Sequence, residues 1–250
     1  MTSNDLGTTA QALVADGMGI LAADETVPTV TRRLAVLAIE STPQTRRAYR
    51  EMFFTTPGVS NFISGIIMQD ETIHQKDNNG TPLTDLLIRQ GILPGIKVDN
   101  GAKPLAGSAG EHITEGLDGL RDRLREYSKL GARFAKWRAV IEVSDMLPSP
   151  CCVQANAHAL ARYAVICQEQ GLVPIVEPEV LMNGSHTIQR CEEVTGSVLH
   201  AVFGALYEQD VSLEGMLLKP NMVVSGGACT TQASVKEVAV ATLRCLRRHV

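Results

Sequence analysis

The chain has 250 residues, 44% of them hydrophobic and 20% charged, with a net charge of −4, the composition of an ordinary globular protein. The lack of a basic surplus disfavours nucleic acid as the main partner, and no apolar run reaches the roughly 18 residues needed to span a membrane. The opening segment MTSNDLGTTAQALVADG has neither the basic start nor the continuous apolar stretch of a secretion signal, so the expected location is cytoplasmic.

Short apolar runs bounded by Gly or Pro recur along the chain and read as buried parallel strands. They are GILAAD (19 to 24), FISGIIMQ (62 to 69), ILPGIKVD (92 to 99), ARFAKWR (132 to 138), LVPIVEP (172 to 178) and EGMLLKP (214 to 220). Helix signals lie between them. Pro43 follows Ser41 and Thr42 as a helix start. Leu117, Leu120, Leu124 and Tyr127 recur at helical spacing until Gly131. An Ala-rich stretch from about 150 to 170 stops at Gly171, and Ser234 with Glu237 forms a capping box for the last helix.

Charges interrupt four of these runs. Lys97 and Asp99, Lys136 and Arg138, and Glu177 and Glu179 are each two residues apart, and Lys219 stands alone as a buried-looking cation. Residues i and i+2 of a strand share a side, so each pair projects into one space. The steps from 97 to 136 to 177 to 219 are 39, 41 and 42 residues, about one strand, one helix and their loops each. An open doubly wound sheet covers both faces of its central strands with apolar packing, whereas a barrel gathers inward charges at the C-terminal ends of its strands. No glycine fingerprint for a dinucleotide follows the first strand. The expectation is therefore an α/β chain of the (β/α)8 TIM barrel type.

The same charges could form an internal ion-pair network that only holds the strands in register. Buried ions cost several kcal/mol each unless compensated, which makes four charged strands an expensive route to stability alone. As a site, they suit imine chemistry. A lysine beside another cation in a partly desolvated mouth loses its proton more readily and attacks a carbonyl, and carboxylates move the protons of the later steps. Lys97 and Arg138 would hold an anionic, phosphorylated substrate. The six cysteines include no Cys-x-x-Cys and are expected as thiols, and the six histidines lack zinc-site spacing. No metal and no cofactor is expected.

Seven segments in chain order, GILAADE (19 to 25), GIKVD (95 to 99), GLDGLRDRLREY (116 to 127), FAKWRAV (134 to 140), ANAHALARYA (155 to 164), GLVPIVEPE (171 to 179) and LEGMLLKPNMV (213 to 223), resemble class I fructose-bisphosphate aldolase. The resemblance implies a lyase that reversibly cleaves fructose 1,6-bisphosphate to dihydroxyacetone phosphate and glyceraldehyde 3-phosphate through a lysine Schiff base, in glycolysis and gluconeogenesis. Carried over position by position, it implies Lys219 as the imine lysine. Glu177 becomes the main acid/base group, Glu179 its assistant, Lys136 a neighbour of Lys219, and Asp24 the acceptor of the hydroxyl proton. Arg33, Arg46, Lys97 and Arg138, with the hydroxyls of Thr26 and Thr29, would serve the substrate's phosphates and hydroxyls. A homo-oligomer is also implied.

Departures from the family pattern fall in the loop expected after AADE, where Thr26-Val27-Pro28-Thr29 replaces the usual Ser-Thr-Gly-Ser, and at Met18 and Asn100, where lysine is common. Only six strand-helix units are counted before Val250, against eight in the family's barrel. The chain is accordingly expected to be a single incomplete barrel domain over 1–250, truncated before two further strands that carry part of the phosphate grip. Two alternatives remain at this point: a noncatalytic aldolase remnant that binds sugar phosphates or a partner chain, and another lysine-imine barrel enzyme such as a transaldolase.

Overall fold

The computed structural model describes residues 3–250. In chain order the elements are α1 (Ser3–Leu13), β1 (Gly19–Ala22), α2 (Val27–Val36), α3 (Pro43–Phe54), β2 (Ile63–Met68), α4 (Asp70–Ile73), α5 (Leu83–Ile88), β3 (Leu93–Lys97), β4 (Ala102–Pro104) and β5 (His112–Thr114). They continue with α6 (Leu120–Lys129), β6 (Phe134–Ile141), α7 (Pro150–Glu169), β7 (Val173–Val180), α8 (Ile188–Glu208), β8 (Leu217–Leu218) and α9 (Val235–His249). Six strands form one parallel sheet in the order β1-β2-β3-β6-β7-β8. All six expected strands are present, and each pairs with the next expected strand along the chain.

Strand alternation divides the sheet into two faces. Ile66, Met68, Ile96, Val98, Ala135, Trp137, Ala139, Val176 and Val180 belong to the larger apolar core, shared with the covering helices. Ile20, Ile67, Leu93, Phe134, Val173, Ile175 and Leu217 point the other way and pack with Leu6, Ala10 and Leu13 of α1. Helix α1 thus closes the floor of the inner face. Continuing each strand by two residues on that face passes from Phe134 to Lys136, from Ile175 to Glu177 and from Leu217 to Lys219. The apolar floor gives way to charge at the C-terminal ends.

The sheet is curled. Neighbouring strands lie about 4.8 Å apart, so β1 and β6, three steps apart, would be separated by about 14 Å in a flat sheet. Yet Lys136 Nζ on β6 stands 2.9 Å from Asp24 Oδ2, just beyond β1. Only curvature toward the inner face brings those side chains together, as in a barrel wall. The architecture is a partial (β/α) barrel, with β1 and β8 as its edge strands among the described residues.

Helix boundaries follow their local signals. Thr42 caps α3, accepting from the Thr45 amide, and Thr45 returns the contact; Ser234 and Glu237 do the same for α9. Gly131, at φ 103°, and Gly171, at φ 73°, turn the chain out of α6 and α7.

Three local expectations are corrected. The stretch after AADE is not a loop, because Thr26 is the N-cap of α2 and Pro28 occupies its first turn, where a missing N–H costs nothing. Strands β6 and β7 extend to Ile141 and Val180, supported by eight aligned residue pairs between them. The hairpin of β4 and β5, between β3 and α6, carries no alternating apolar pattern in its three-residue strands, so periodicity gave no sign of it.

Candidate active site

Four charged side chains meet on the inner face. Lys219 Nζ donates to Glu177 Oε1 at 2.6 Å, the other carboxylate oxygen, Oε2, lies 3.3 Å from Lys136 Nζ, and Lys136 donates to Asp24 Oδ2 at 2.9 Å. Cations and anions alternate along this line, so every charge has an opposite neighbour, the condition for keeping ions in a poorly solvated place. Asp24, Lys136 and Glu177 are buried. Burial alone would lower the affinity of the Lys136 amine for its proton, but the charges of Asp24 and Glu177 outweigh it and hold the pKa above the ordinary lysine value. Lys136 is therefore the fixed cation of the cluster.

Lys219 differs from the expectation of a buried amine. Its side chain is 53% exposed, against 8% for Lys136. Among the described residues β8 has two residues and pairs with β7 alone, so Lys219 is flanked there on a single side. Its backbone is nonetheless anchored, with the Lys219 amide donating to the Val176 carbonyl at 2.9 Å. One amine is accessible and its partner amine is not.

The remaining charges line the rim. Register sets Lys97 opposite Lys136 and Arg138 opposite Glu177. Lys97 pairs with the Asp99 carboxylate and Arg138 with that of Glu179. Lys97 and Thr26 also line a 270 Å³ cavity with Asp99, Asn100, Arg123 and Tyr127. Thr26 and Thr29 bond each other at 3.1 Å between hydroxyls. Arg33 is held by Glu25, and Arg46 by Glu71, so neither arginine joins the lysine cluster. The amides of Gly226 and Gly227 donate to the carbonyls of His186 and Met182, which makes that turn a connection between loops rather than an anion cradle. Among the described residues, no group of three or more His, Cys, Asp or Glu side chains is placed to hold a metal ion.

Comparison with known proteins identifies this arrangement. The family model for class I fructose-bisphosphate aldolase, a glycolytic family, matches residues 5–250. The chain belongs to the class I fructose-bisphosphate aldolases. A probable class 1 fructose-bisphosphate aldolase of Xanthomonas axonopodis pv. citri is 58% identical over 250 residues, covering 100% of this chain and 75% of the relative. Rat fructose-bisphosphate aldolase C is 50% identical over 247 residues, 98% of this chain and 68% of its own length. A Plasmodium falciparum fructose-bisphosphate aldolase, solved in complex with TRAP and a small-molecule inhibitor, superposes with a TM-score of 0.97 at 48% identity, covering 99% of this chain and 72% of that one.

Two residues of this aldolase escaped the strand-based reading. Arg50 and Tyr49 lie on α3, far in sequence from the charged strands, and both bond Glu25, the residue after Asp24. Arg50 is buried, a rare state for arginine. The available signal was the Arg-rich run TRRAYR, in which nothing distinguished the buried guanidinium of Arg50 from those of Arg46 and Arg47.

Proposed function

We propose that this aldolase cleaves fructose 1,6-bisphosphate through an imine on Lys219. Aldol cleavage in glycolysis is the activity of its family, and the chain is a lyase. The observation that carries the residue assignment is the unbroken line Lys219, Glu177, Lys136, Asp24, in which one accessible amine shares a carboxylate with a buried one.

The Lys219 amine, in its neutral form, attacks the substrate's C2 carbonyl and gives a carbinolamine. Glu177, 2.6 Å from the amine, is placed to protonate the departing hydroxyl as water and leave the iminium. The iminium draws the C3–C4 bonding pair toward nitrogen. As that bond breaks, the C4 hydroxyl proton passes to Asp24, releasing glyceraldehyde 3-phosphate and leaving an enamine. Protonation at C3 and hydrolysis of the imine return Lys219 and free dihydroxyacetone phosphate. Lys136 lies between the Glu177 and Asp24 carboxylates and holds both in place by charge and hydrogen bonding. Glu179 assists Glu177 and is itself tethered to Arg138.

Lys97, Arg138 and the hydroxyls of Thr26 and Thr29 bind the phosphates, with the cavity beside Lys97 and Thr26 as the receiving space. Arg33 and Arg46 contribute at the periphery through their outer donors. A noncatalytic remnant is not favoured, since the chain matches the aldolase family over residues 5–250. No helix among the described residues is long and apolar enough to cross a membrane. An Arabidopsis thaliana relative, 53% identical over 234 residues, is named cytosolic, and we assign this chain to the cytoplasm and to a homo-oligomer on family grounds.

Borohydride reduction in the presence of dihydroxyacetone phosphate tests the assignment. Mass spectrometry should place the reduced adduct on the Lys219 peptide, and product analysis on fructose 1,6-bisphosphate should give two triose phosphates. A folded sample that traps nothing, or traps at Lys136, would overturn the proposed role of Lys219.

A further inference from the structure

The buried guanidinium of Arg50 does no work in the mechanism above, yet its contacts are all made one residue from it. One of its nitrogens pairs with Glu25 Oε2, and another donates to the backbone carbonyl of Glu25 at 2.7 Å. The ring of Tyr49 lies 5.2 Å from the guanidinium carbon. Tyr49 also donates from its hydroxyl to Glu25 Oε1 at 3.2 Å, and Arg33 grips the same oxygen. Glu25 is thus held through both carboxylate oxygens and its main chain.

On the other side of Asp24, the Ala23 amide donates to the Ile67 carbonyl at 3.0 Å. Asp24 is the one residue between these two anchors. It follows the end of β1 and precedes the Thr26 cap of α2, a junction with no ladder bonds of its own beyond Ala23. A carbonyl-to-guanidinium bond plus a charge pair to the same arginine is a stiffer restraint than either alone, because two donors on one planar group fix direction as well as distance.

We infer that Arg50 is a positioning residue for carbon–carbon cleavage: it clamps Glu25 and thereby sets the carboxylate of Asp24 against the substrate's C4 hydroxyl. The inference rests on the assignment of Asp24 as acceptor of that proton. It separates two steps that share the site. Imine formation uses Glu177 on β7 and Lys219 just beyond β8, across the sheet from the clamp, whereas cleavage needs Asp24 in register. Loosening Arg50 should slow the second and spare the first.

The test compares Arg50→Lys with the wild-type chain in two assays. Lysine keeps the charge but cannot hold the Glu25 carboxylate and carbonyl in one plane. Borohydride trapping of dihydroxyacetone phosphate should stay within about twofold of wild type, with KM for fructose 1,6-bisphosphate similarly preserved. The kcat for cleavage should fall about 10- to 100-fold, the scale of a misplaced catalytic group. Unchanged kcat, or equal losses in trapping and cleavage, would overturn the inference. Should Arg50→Lys fail to fold, Arg50→Gln, which can still donate to the Glu25 carbonyl but forms no charge pair, must show the same split or the inference fails. A wild-type chain that traps nothing would instead sink the functional reading itself, a separate result.

Discussion

Substituting Gly95 by alanine probes how the floor of the site is built. Gly95 lies on β3 on the inner face, and an added Cβ would stand 2.2, 2.4 and 2.6 Å from three ring carbons of Phe134. Reaching an ordinary contact of 3.4 Å requires the nearest ring atom to retreat by about 1.2 Å. Phe134 has little room to retreat: it is fully buried, and a Cβ at Gly65 on the neighbouring strand would stand 3.0 and 3.1 Å from two of the same ring carbons and 2.6 Å from Leu13. Overpacking of this kind costs about 1–3 kcal/mol, and three simultaneous overlaps place Gly95→Ala near the upper end. Phe134→Leu removes the ring at a cost of about 1–2 kcal/mol, and in its presence the alanine should be nearly free. Urea unfolding of the four proteins closes a double-mutant cycle with an expected coupling of about 2 kcal/mol in favour of the double variant. Because Phe134 sits two residues before Lys136 on the same face, Gly95→Ala should also depress cleavage. A loss below about 0.5 kcal/mol for Gly95→Ala, or additive losses in the double variant, would refute the packing argument.

Glu177→Gln leaves a similar shape between the two lysines but no proton to give, and trapping of the imine should slow by about 10²- to 10⁴-fold; a rate near wild type would reassign the acid. The raised pKa of Lys136 carries a definite sign. Its contribution to stability is fully present below the unfolded lysine value of 10.5 and is lost as pH rises through the higher folded value. Unfolding free energy followed across that alkaline window should decline in the wild type and decline less steeply in Lys136→Met; parallel curves would contradict the pairing. Chelation by EDTA should leave turnover unchanged, since the electron sink is the protonated imine; inhibition relieved by added divalent metal would refute an imine route.

Much of the site could be read before any tertiary contact was known. Lys136 and Glu177 fall on the inner face for the same local reason as Phe134 and Ile175, and the repeat of about forty residues marks them as members of consecutive strand-helix units. The clamp on Glu25 was illegible by comparison. Burial of Arg50 depends on α3 meeting Glu25 in the segment after β1, and a helical arginine next to a tyrosine looks the same on a solvated face.

What the amino-acid order determined alone was the six strands of the parallel sheet, the side on which four of them bear charge, and the helix caps at Thr42 and Ser234. These are consequences of backbone chirality and of hydrogen bonds spanning a few residues. The tertiary structure decided which carboxylate meets which lysine, since Asp24 and Lys136 are 112 positions apart and touch only because the sheet curls. It also decided that Lys136 is enclosed, since Asp24 and Glu177 close on its amine from either side. Solvation depends on every neighbouring strand at once, and that sum is not written in any single stretch of sequence.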